Sequence, residues 1–363
     1  MPRLSSIIGH EASIGRLQAA ISGATVSHAY LLAGPSGTGK TTTARAFAKA
    51  LNCEQTESLI GGPTDSCEIC AACRQADAGV HPDIHLIRPA LLHTESEGVD
   101  RRASTEILIA QVREMIRMLS LSPSLGRRKV FIVSPADAMN QQSQNALLKS
   151  LEEPPGTATL ILCAESPESV LATIRSRCQV LQFGLAPASL IQLRLRELYG
   201  LPVEEAAHVA ALAQGRVGRA LQLASNPEGR AARSLLIDLL QTTLKAGPLQ
   251  ALLSAGALRE AAQRVPVLVE SLAGVAMETV SEKVAPKIQL QVLFEELAAL
   301  ARDLLLLKLD KDDTSRELIV NLDRKDALDE LARDRTEGEL RSAIESVLEA
   351  QDLLRRNVNP VLL

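Results

Sequence analysis

Aromatic residues are scarce in this chain of 363 residues: they make up 2% of the sequence, and tryptophan is absent. A core with so few rings must be built from Leu, Ala, Val and Ile, which favours a helix-rich protein. The same scarcity argues against the aromatic platforms on which single-stranded nucleic acid stacks. The net charge of −4 also provides no overall basic field that would attract DNA.

Long apolar runs are also missing. The most apolar late segment, Leu304–Leu307, is flanked by charged residues and is far shorter than a membrane span. The first residues lack the basic and apolar regions of a signal peptide. We therefore expect a cytoplasmic protein with reduced thiols and no membrane partner.

Strand and helix patterns alternate through the first half of the chain and give way to helices alone. Alternation predicts an α/β domain with a parallel sheet covered on both faces. The predicted strands cover 28–33, 83–87, 129–133, 159–163 and 180–183, and the predicted helices cover 12–22, 41–51, 104–119 and 141–151. Later predicted helices are a short cluster over 187–226 and long helices over 257–280, 287–309 and 335–355. We expect an α/β domain over 1–184, a small helical domain over 185–235 and an all-helical domain over 236–363.

A complete phosphate-binding pattern, G-x-x-x-x-G-K-[ST], covers residues 34–41 between a predicted strand and a predicted helix. Its glycines let the backbone wrap an anion, the lysine reaches the outer phosphates, and the threonine hydroxyl binds Mg²⁺. The pattern predicts binding of ATP or ADP with Mg²⁺. The candidate nucleotide-binding residues are Gly34, Gly37, Thr38, Gly39, Lys40, Thr41 and Thr42.

The acids needed for hydrolysis are missing from their expected place. Ser134 and Pro135 follow the predicted strand 129–133, where an Asp and a Glu are expected to hold the metal and position water. Asp137 lies three residues beyond Ser134 and is expected to face elsewhere, although another register would bring it into the site. The sequence thus predicts nucleotide binding with little or no hydrolysis.

Four cysteines follow the spacing C-x13-C-x2-C-x2-C: Cys53, Cys67, Cys70 and Cys73. The C-x2-C steps place thiolates close enough to share a tetrahedral ion, and a reducing compartment favours metal over disulfide. Four sulfur ligands leave no open position, so we predict structural zinc in a module over 53–73. Free thiols or redox chemistry are the alternatives, and His81 and His85 are reserve ligands. Cys163 and Cys178 are expected to be small buried side chains.

Several of these segments together resemble the AAA+ subunits of the bacterial DNA polymerase III clamp loader. The segments are His28–Tyr30, 34–41, Ala48–Cys53, Asn145–Pro155 and Ser176–Cys178, and the resemblance extends over about 5–225. It implies an AAA+ domain, a small helical lid and an all-α collar through which subunits assemble. The long helices alone fit a self-contained bundle equally well.

Two kinds of family member fit the resemblance. Motor subunits of the gamma/tau kind hydrolyse ATP, whereas the delta-prime kind lacks a working ATPase and acts as a rigid stator. Ser134-Pro135 favours the second kind. The resemblance then implies that Arg177 is an arginine finger for a neighbouring motor subunit, and that Arg219 contacts nucleotide from the lid. Glu165 or Ser166 would occupy the position of the polar sensor that follows the fourth strand of the family.

The implied function is to help place the sliding clamp on primed DNA, without polymerase activity in this chain. The implied partners are the gamma/tau and delta subunits and, through the complex, the sliding clamp and primer–template DNA. An active motor subunit is the alternative within the family. A P-loop phosphotransferase and a nonspecific DNA-binding AAA+ protein are disfavoured by the helical C-terminal third and by the acidic net charge respectively.

Overall fold

The computed structural model of the protein describes residues 1–23, 25–55, 64–89, 94–96, 99–101, 106–154, 156–245, 285–309 and 318–355. The chain divides into two compact units, Met1–Ala186 and Pro187–Leu363. The helix predicted over 257–280 lies outside the described residues. In the described part of the chain, no helix is both long and apolar enough to cross a membrane.

The first unit alternates strands and helices, as its sequence pattern predicts. Its strands are β1 (Ala29–Ala33), β2 (Ile84–Ile87), β3 (Thr94–Ser96), β4 (Val99–Arg101), β5 (Lys129–Val133), β6 (Ala158–Ala164) and β7 (Gln179–Gln182). Its helices are α1 (Glu11–Ser22), α2 (Lys40–Asn52), α3 (Ala71–Ala78), α4 (Ile109–Leu119), α5 (Gln141–Glu152) and α6 (Ala172–Arg175).

Helix α4 begins at Ile109, five residues later than the sequence pattern suggests. Ile107 forms a parallel bridge with Met139, and its N–H donates to the carbonyl of Ala138. This pairing holds Ile107 extended, so the helix can start only beyond it. The side chain of Gln111 then accepts the N–H of Leu108 at 3.0 Å and satisfies a donor that the helix start leaves unpaired.

Five parallel strands form the main sheet in the order β2-β5-β6-β1-β7, and β3 pairs antiparallel with β4. In this order β1 lies between β6 and β7, with Ala33 opposite both Ala164 and Gln182. The carboxyl ends of parallel strands meet at one edge of a sheet, where α/β proteins bind ligands. The segments that follow β1, β5 and β6 therefore converge at that edge.

Both faces of the sheet are buried, because alternate residues of each strand point into two different cores. Leu31, Phe131 and Leu160 pack on one face with Met115 of α4 and Leu147 of α5. The other face has its own core. Tyr30, Val130 and Ile161 pack there with Leu17 of α1 and Phe47 of α2, and the Tyr30 and Phe47 rings meet edge-on at 5.2 Å.

The second unit is helical throughout its described residues. Its helices are α7 (Ala188–Tyr199), α8 (Val203–Ala213), α9 (Val217–Ser225), α10 (Pro227–Lys245), α11 (Ala285–Leu309), α12 (Lys325–Arg333) and α13 (Glu337–Arg355). The predicted helices over 287–309 and 335–355 correspond to α11 and α13. Leu304 packs with Leu300, Leu331 and Leu340 in the core of this unit. The leucine run 304–307 thus contributes to a helical core, as a self-contained bundle requires.

Candidate functional site

The phosphate loop lies between β1 and α2, at the carboxyl edge of the sheet. Gly34 has no room for a side chain, since a Cβ atom there would lie 1.8 Å from the carbonyl oxygen of Phe183, the residue after β7. Gly37 and Gly39 adopt positive φ angles of 77° and 96°, which glycine tolerates best. Each glycine of the motif therefore meets a local backbone requirement.

Lys40 folds back over the loop that precedes it. Its Nζ donates to the carbonyl oxygens of Gly34 at 2.5 Å and of Pro35 at 2.7 Å, and the side chain is buried. The Thr38 hydroxyl also donates to the carbonyl of Pro35, at 2.9 Å. Thr42 lies exposed in the first turn of α2. The lysine is thus held at the loop by two backbone carbonyls, and a phosphate would replace these acceptors with charged ones.

His10 supports the loop from outside the motif, and the sequence pattern did not point to it. Its Nε2 lies 3.0 Å from the carbonyl oxygen of Thr38, and its ring lies 4.6 Å from that of Phe183. Burial lowers the pKa of His10, so the neutral ring is favoured. No local spacing indicates this contact, because it joins residues 28 positions apart.

Ser134, the residue after β5, meets the end of the phosphate loop through a pair of hydroxyl groups. Ser134 and Thr41 share a hydrogen bond of 2.6 Å between their side-chain oxygens. The Cys163 thiol contacts both hydroxyls, and burial raises its pKa to about 12, so this thiol is neutral at physiological pH. Where a nucleotide-hydrolysing P-loop protein has a carboxylate beside its metal-binding hydroxyl, this chain has uncharged groups.

Asp137 is engaged with the segment after β6. Its carboxylate accepts the Glu165 N–H, with Oδ1 at 2.9 Å, and also accepts the Ser169 hydroxyl. The charge of Asp137 therefore holds the turn that includes Glu165 and Ser166, the two residues suggested for the sensor position. The charge of Asp137 also adds to burial in raising the pKa of Cys163, which contacts Thr41, so Asp137 acts on this site through its charge while its hydrogen bonds hold the turn after β6.

The four cysteine thiols converge in a buried cluster. All four Sγ atoms lie within 4.8 Å of one another, and the Cys53–Cys70 and Cys67–Cys73 pairs are each 4.0 Å apart. Tetrahedral zinc with Zn–S bonds of about 2.3 Å requires sulfurs about 3.8 Å apart, so the cluster fits the ion. The sequence spacing alone indicated these residues correctly as a group.

Backbone N–H groups surround the thiols as they do in sites that hold thiolates. The N–H groups of Cys67, Cys70 and Cys73 donate to the sulfurs of Cys53, Cys67 and Cys70 respectively, at 3.3–3.4 Å. Burial raises the pKa of Cys53 and of Cys73. At Cys70 burial is outweighed by the N–H of Cys73, and the pKa is lowered to about 7.

His81 and His85, the reserve ligands, contact residues outside the cysteine cluster. The Nδ1 atom of His81 accepts the N–H of Asp83 at 3.1 Å, and the ring of His85 stacks on Phe131 at 4.6 Å. The cysteine module is instead tied to the start of the chain. The Asp65 carboxylate accepts the N–H groups of Leu4 at 3.1 Å and Ser5 at 2.8 Å. A metal in the cluster would therefore stabilise the N-terminal segment as well.

Arg177 lies at the surface, just beyond α6. One guanidinium nitrogen donates to Glu152 at 2.7 Å and the other to the carbonyl of Thr173 at 2.9 Å. The side chain remains 34% exposed and that of Glu152 is 51% exposed. Arg175 pairs separately with Glu168 at 3.3 Å. Arg177 is thus held in place while its charge remains accessible to solvent.

Arg219 lies in the interior of the second unit. Its guanidinium pairs with the fully buried Glu296 of α11, and the second oxygen of Glu296 lies 2.6 Å from Arg233. Arg233 also donates to Asn321 at 2.9 Å. The structure gives Arg219 a buried acidic partner within its own unit, and its predicted contact with nucleotide remains a prediction.

A parallel sheet with a phosphate loop after β1, the strand between β6 and β7, followed by a helical unit, defines an AAA+ P-loop protein. Residues 9–186 match the family model described as DNA polymerase III, delta subunit. Over these residues, just under half of the chain, the protein is similar to the DNA polymerase III delta subunits that the model describes.

Individual relatives include both kinds of subunit. The chain is 38% identical over 191 residues to DNA polymerase III subunit delta' of Pseudomonas aeruginosa, covering 52% of this chain and 53% of the relative. It is 33% identical over 216 residues to subunit delta' of Bacillus subtilis, covering 60% and 59%. Subunit tau of Bacillus subtilis is 34% identical over 227 residues, which are 61% of this chain and 37% of tau. The matches thus span little more than half of the delta' relatives.

Proposed function

We propose that this chain is a delta-prime-type subunit of the DNA polymerase III clamp loader, a stator that does not hydrolyse ATP itself. One observation carries the proposal: the Thr41 hydroxyl is bonded to Ser134, where hydrolysis needs a carboxylate that holds the metal. Pro135, the next residue, has no group that could position or deprotonate water. The chain thus has an intact phosphate loop without the groups that hydrolysis of ATP requires.

The similarity to delta' and to tau supports a place in the clamp loader, whether the chain is a stator or a motor subunit. As a stator the chain would assemble with gamma/tau and delta subunits and act on the sliding clamp and primer–template DNA through the complex. The alternative is an active motor subunit of the gamma/tau kind. The uncharged Ser134 hydroxyl and Cys163 thiol that contact Thr41 favour the stator.

Arg177 is proposed as the residue through which this chain acts on its neighbour. An arginine finger must be exposed, held near its working position, and free to exchange its partner for a phosphate. The ion pair of Arg177 with Glu152 is partly exposed to solvent, and pairs at the surface contribute only about 0–1 kcal/mol. A triphosphate bound by an adjacent subunit can therefore replace Glu152 at small cost.

The remaining parts have structural roles in this proposal. Zinc held by Cys53, Cys67, Cys70 and Cys73 would stabilise the first unit, since four sulfur ligands leave no position for a reacting molecule. The helices from 236 onward would form the collar through which subunits assemble, and 185–235 the lid, in a replisome protein of the cytoplasm.

Reconstitution with gamma/tau and delta subunits tests the proposal. Arg177→Ala is compared with Arg175→Ala, a matched control two residues away whose ion pair is also exposed. Arginine fingers contribute about 10³–10⁵ to turnover, so Arg177→Ala should nearly abolish clamp- and DNA-stimulated ATP hydrolysis at the one motor site that it serves. Arg175→Ala should leave it near the wild-type rate. Equal rates for the two variants in intact complexes would overturn the finger assignment.

A further inference from the structure

The position of a magnesium ion in P-loop proteins is fixed by two protein groups. A Ser or Thr hydroxyl of the loop binds the ion, and an Asp after a neighbouring strand holds it from the other side. In this chain the hydroxyl belongs to Thr41 and the neighbouring strand is β5, which ends at Val133. The group that faces Thr41 is the Ser134 hydroxyl, at 2.6 Å. The loop thus retains one of the two groups that fix the metal.

The surroundings of this pair are poor in the ligands that magnesium requires. Mg²⁺ is a hard cation that is bound through carboxylates, phosphates and water in near-octahedral geometry. Thr41 and Ser134 are in contact with the neutral, fully buried thiol of Cys163, a soft group that suits other metals. The donor set around Thr41 therefore does not fit Mg²⁺.

Asp137 does not fill the gap. Both of its oxygens lie within hydrogen-bond distance of the Glu165 N–H, and Oδ1 also accepts the Ser169 hydroxyl. Release of Asp137 toward Thr41 would break its hydrogen bonds with the Glu165 N–H and the Ser169 hydroxyl, which also donates to the carbonyl of Ser166 at 2.7 Å. The carboxylate nearest in sequence to Ser134 is committed to holding the turn after β6.

The phosphate-binding half of the site is complete without a metal. The glycines have the backbone angles and the close approach to Phe183 that the loop needs, and α2 begins at Lys40 with its positive end toward the loop. The Lys40 ammonium is held beside the carbonyls of Gly34 and Pro35. Positive charge for a phosphate thus comes from the lysine and from the helix start.

We propose that this loop binds the phosphates of a nucleotide without a divalent cation, with Thr41 remaining bonded to Ser134. The inference deepens the non-hydrolysing role proposed above, because a site that does not recruit Mg²⁺ keeps its nucleotide as a fixed part of the subunit. It concerns the nucleotide of this chain alone, whereas the proposed role of Arg177 concerns the nucleotide of a neighbour.

The test is a calorimetric titration of the purified full-length chain with ADP, once in excess EDTA and once in excess Mg²⁺. The expected Kd in EDTA is equal to, or lower than, the Kd in Mg²⁺, because the metal only competes for the nucleotide. A Kd that rises tenfold or more on removal of Mg²⁺ would overturn the proposal, as would absence of ADP binding in both conditions. Lys40→Ala should abolish binding in both, and binding that survives this change would place ADP elsewhere and also count against the loop.

Ser134→Asp supplies the missing carboxylate, and Ser134→Ala is its uncharged control. The Asp variant should bind ADP about tenfold more tightly with Mg²⁺ than without it, whereas the Ala variant should show no such preference. If the Asp variant does not fold, electron paramagnetic resonance of Mn²⁺ mixed with wild type and ADP tests whether a divalent cation binds together with the nucleotide. The signal should match that of Mn²⁺ with ADP alone, and a protein-bound Mn²⁺ signal that requires ADP contradicts the proposal. Neither result depends on the Arg177 comparison, so the two proposals can fail separately.

Discussion

Thr41 and Ser134 are joined by a hydrogen bond of 2.6 Å, which links the first turn of α2 to the residue after β5. Both members of the pair are hydroxyl groups, and Pro135 follows Ser134 in the sequence. General acid–base groups typically contribute about 10²–10⁴-fold to a reaction rate, and neither Ser134 nor Pro135 can act as one at neutral pH. The position beside Thr41 therefore lacks a general acid or base for the hydrolysis of ATP.

We expect no measurable ATP hydrolysis by the purified chain, even with Mg²⁺ and at high protein concentration. The measurement is phosphate release by wild type beside Lys40→Ala, which controls for contaminating ATPases because it removes the ammonium at the loop. Wild type and variant should give the same background rate. Mg²⁺-dependent turnover that disappears with Lys40→Ala would instead identify the chain as a motor subunit.

The cysteine cluster predicts about one zinc ion per chain, measured by atomic absorption on protein purified without chelator. Cys70→Ser should lower the zinc content to near zero, because it removes one of four convergent thiols. Cys178→Ser is the matched control, since this thiol is not part of the cluster and should leave zinc unchanged. Metal-free native protein, or equal zinc content in both variants, contradicts the zinc assignment.

Loss of zinc should also loosen the start of the chain. Asp65 lies two residues before Cys67 and accepts the N–H groups of Leu4 and Ser5. Structural zinc contributes about 10 kcal/mol or more of binding free energy in small zinc domains, so the segment that carries Asp65 should lose its fold with the metal. Amide hydrogen exchange at Leu4 and Ser5 should then become faster in Cys70→Ser but not in Cys178→Ser.

Asp83 is a buried carboxylate that fixes the loop before β5. It accepts the N–H groups of Ser124 at 2.7 Å, Leu125 at 2.8 Å and Gly126 at 2.6 Å. Burial raises the pKa of Asp83, but these three donors outweigh it and hold the pKa below its usual value. Asp83→Asn replaces one acceptor oxygen with a donor and should cost about 1–3 kcal/mol in the free energy of unfolding.

The same carboxylate predicts a dependence on pH. Since the pKa of Asp83 is lower in the folded state, its stabilising effect is complete above the unfolded value of about 3.9 and is lost as the pH falls toward the folded value. The protection of the 124–126 amides from hydrogen exchange, measured relative to the intrinsic rate at each pH, should therefore fall in wild type below about pH 4. In Asp83→Asn it should be low already at neutral pH. Glu153→Gln, which changes an exposed carboxylate of the same unit, should behave as wild type.

The contribution of sequence reasoning differs between local and distant relationships. The phosphate loop and the four thiols were predictable because each set of residues is fixed by short spacings, and the five strands of the main sheet were predictable from their apolar runs. The short polar strands β3 and β4 were not predicted. The bond between Ser134 and Thr41 spans 93 positions, and that between His10 and Thr38 spans 28. Such contacts depend on the order of strands in the sheet, which spacing along the chain does not encode.

Helix starts show the same limit on a smaller scale. The apolar period of α4 continues back to residue 104, yet the helix begins at Ile109 because Ile107 pairs with Met139. A propensity pattern cannot anticipate a bridge to a residue 32 positions away. Likewise Arg219 lies in a segment that resembles a nucleotide-contacting motif, and its buried partner Glu296 is separated from it by 77 positions.

Glu296 is a buried acidic residue of the second unit, and its replacement tests how much the ion pairs there contribute to the free energy of unfolding. It is fully buried between Arg219 and Arg233. Burial raises the pKa of Glu296, but Arg233 and Arg219 outweigh it and hold the pKa below its usual value. Glu296→Ala leaves two buried guanidinium groups without their shared partner, and removal of one member of a buried pair costs about 3–5 kcal/mol.

The neighbouring Glu295 is the matched control, since it lies 3.8 Å from both Arg216 and Arg219 and is about one third exposed. Glu295→Ala should cost less than about 1 kcal/mol in urea unfolding followed by circular dichroism. Because the pKa of Glu296 is lowered on folding, its contribution is complete above the unfolded value of about 4.3 and is lost as the pH falls below it. Equal losses for the two alanine variants would contradict the buried pair.

Arg219→Ala separates the role seen in the helical unit from the nucleotide contact implied by family resemblance. If Arg219 serves only Glu296, the variant loses stability to a similar extent as Glu296→Ala while its Kd for ADP stays within about twofold of wild type. If it also contacts nucleotide, the Kd rises at a urea concentration where both proteins remain folded. Glu296→Ala measured in the same titration controls for loosening of the helices, because it disrupts the pair but keeps the Arg219 charge. A Kd raised in Arg219→Ala alone therefore supports direct contact, and a Kd raised equally in both variants assigns the effect to the fold.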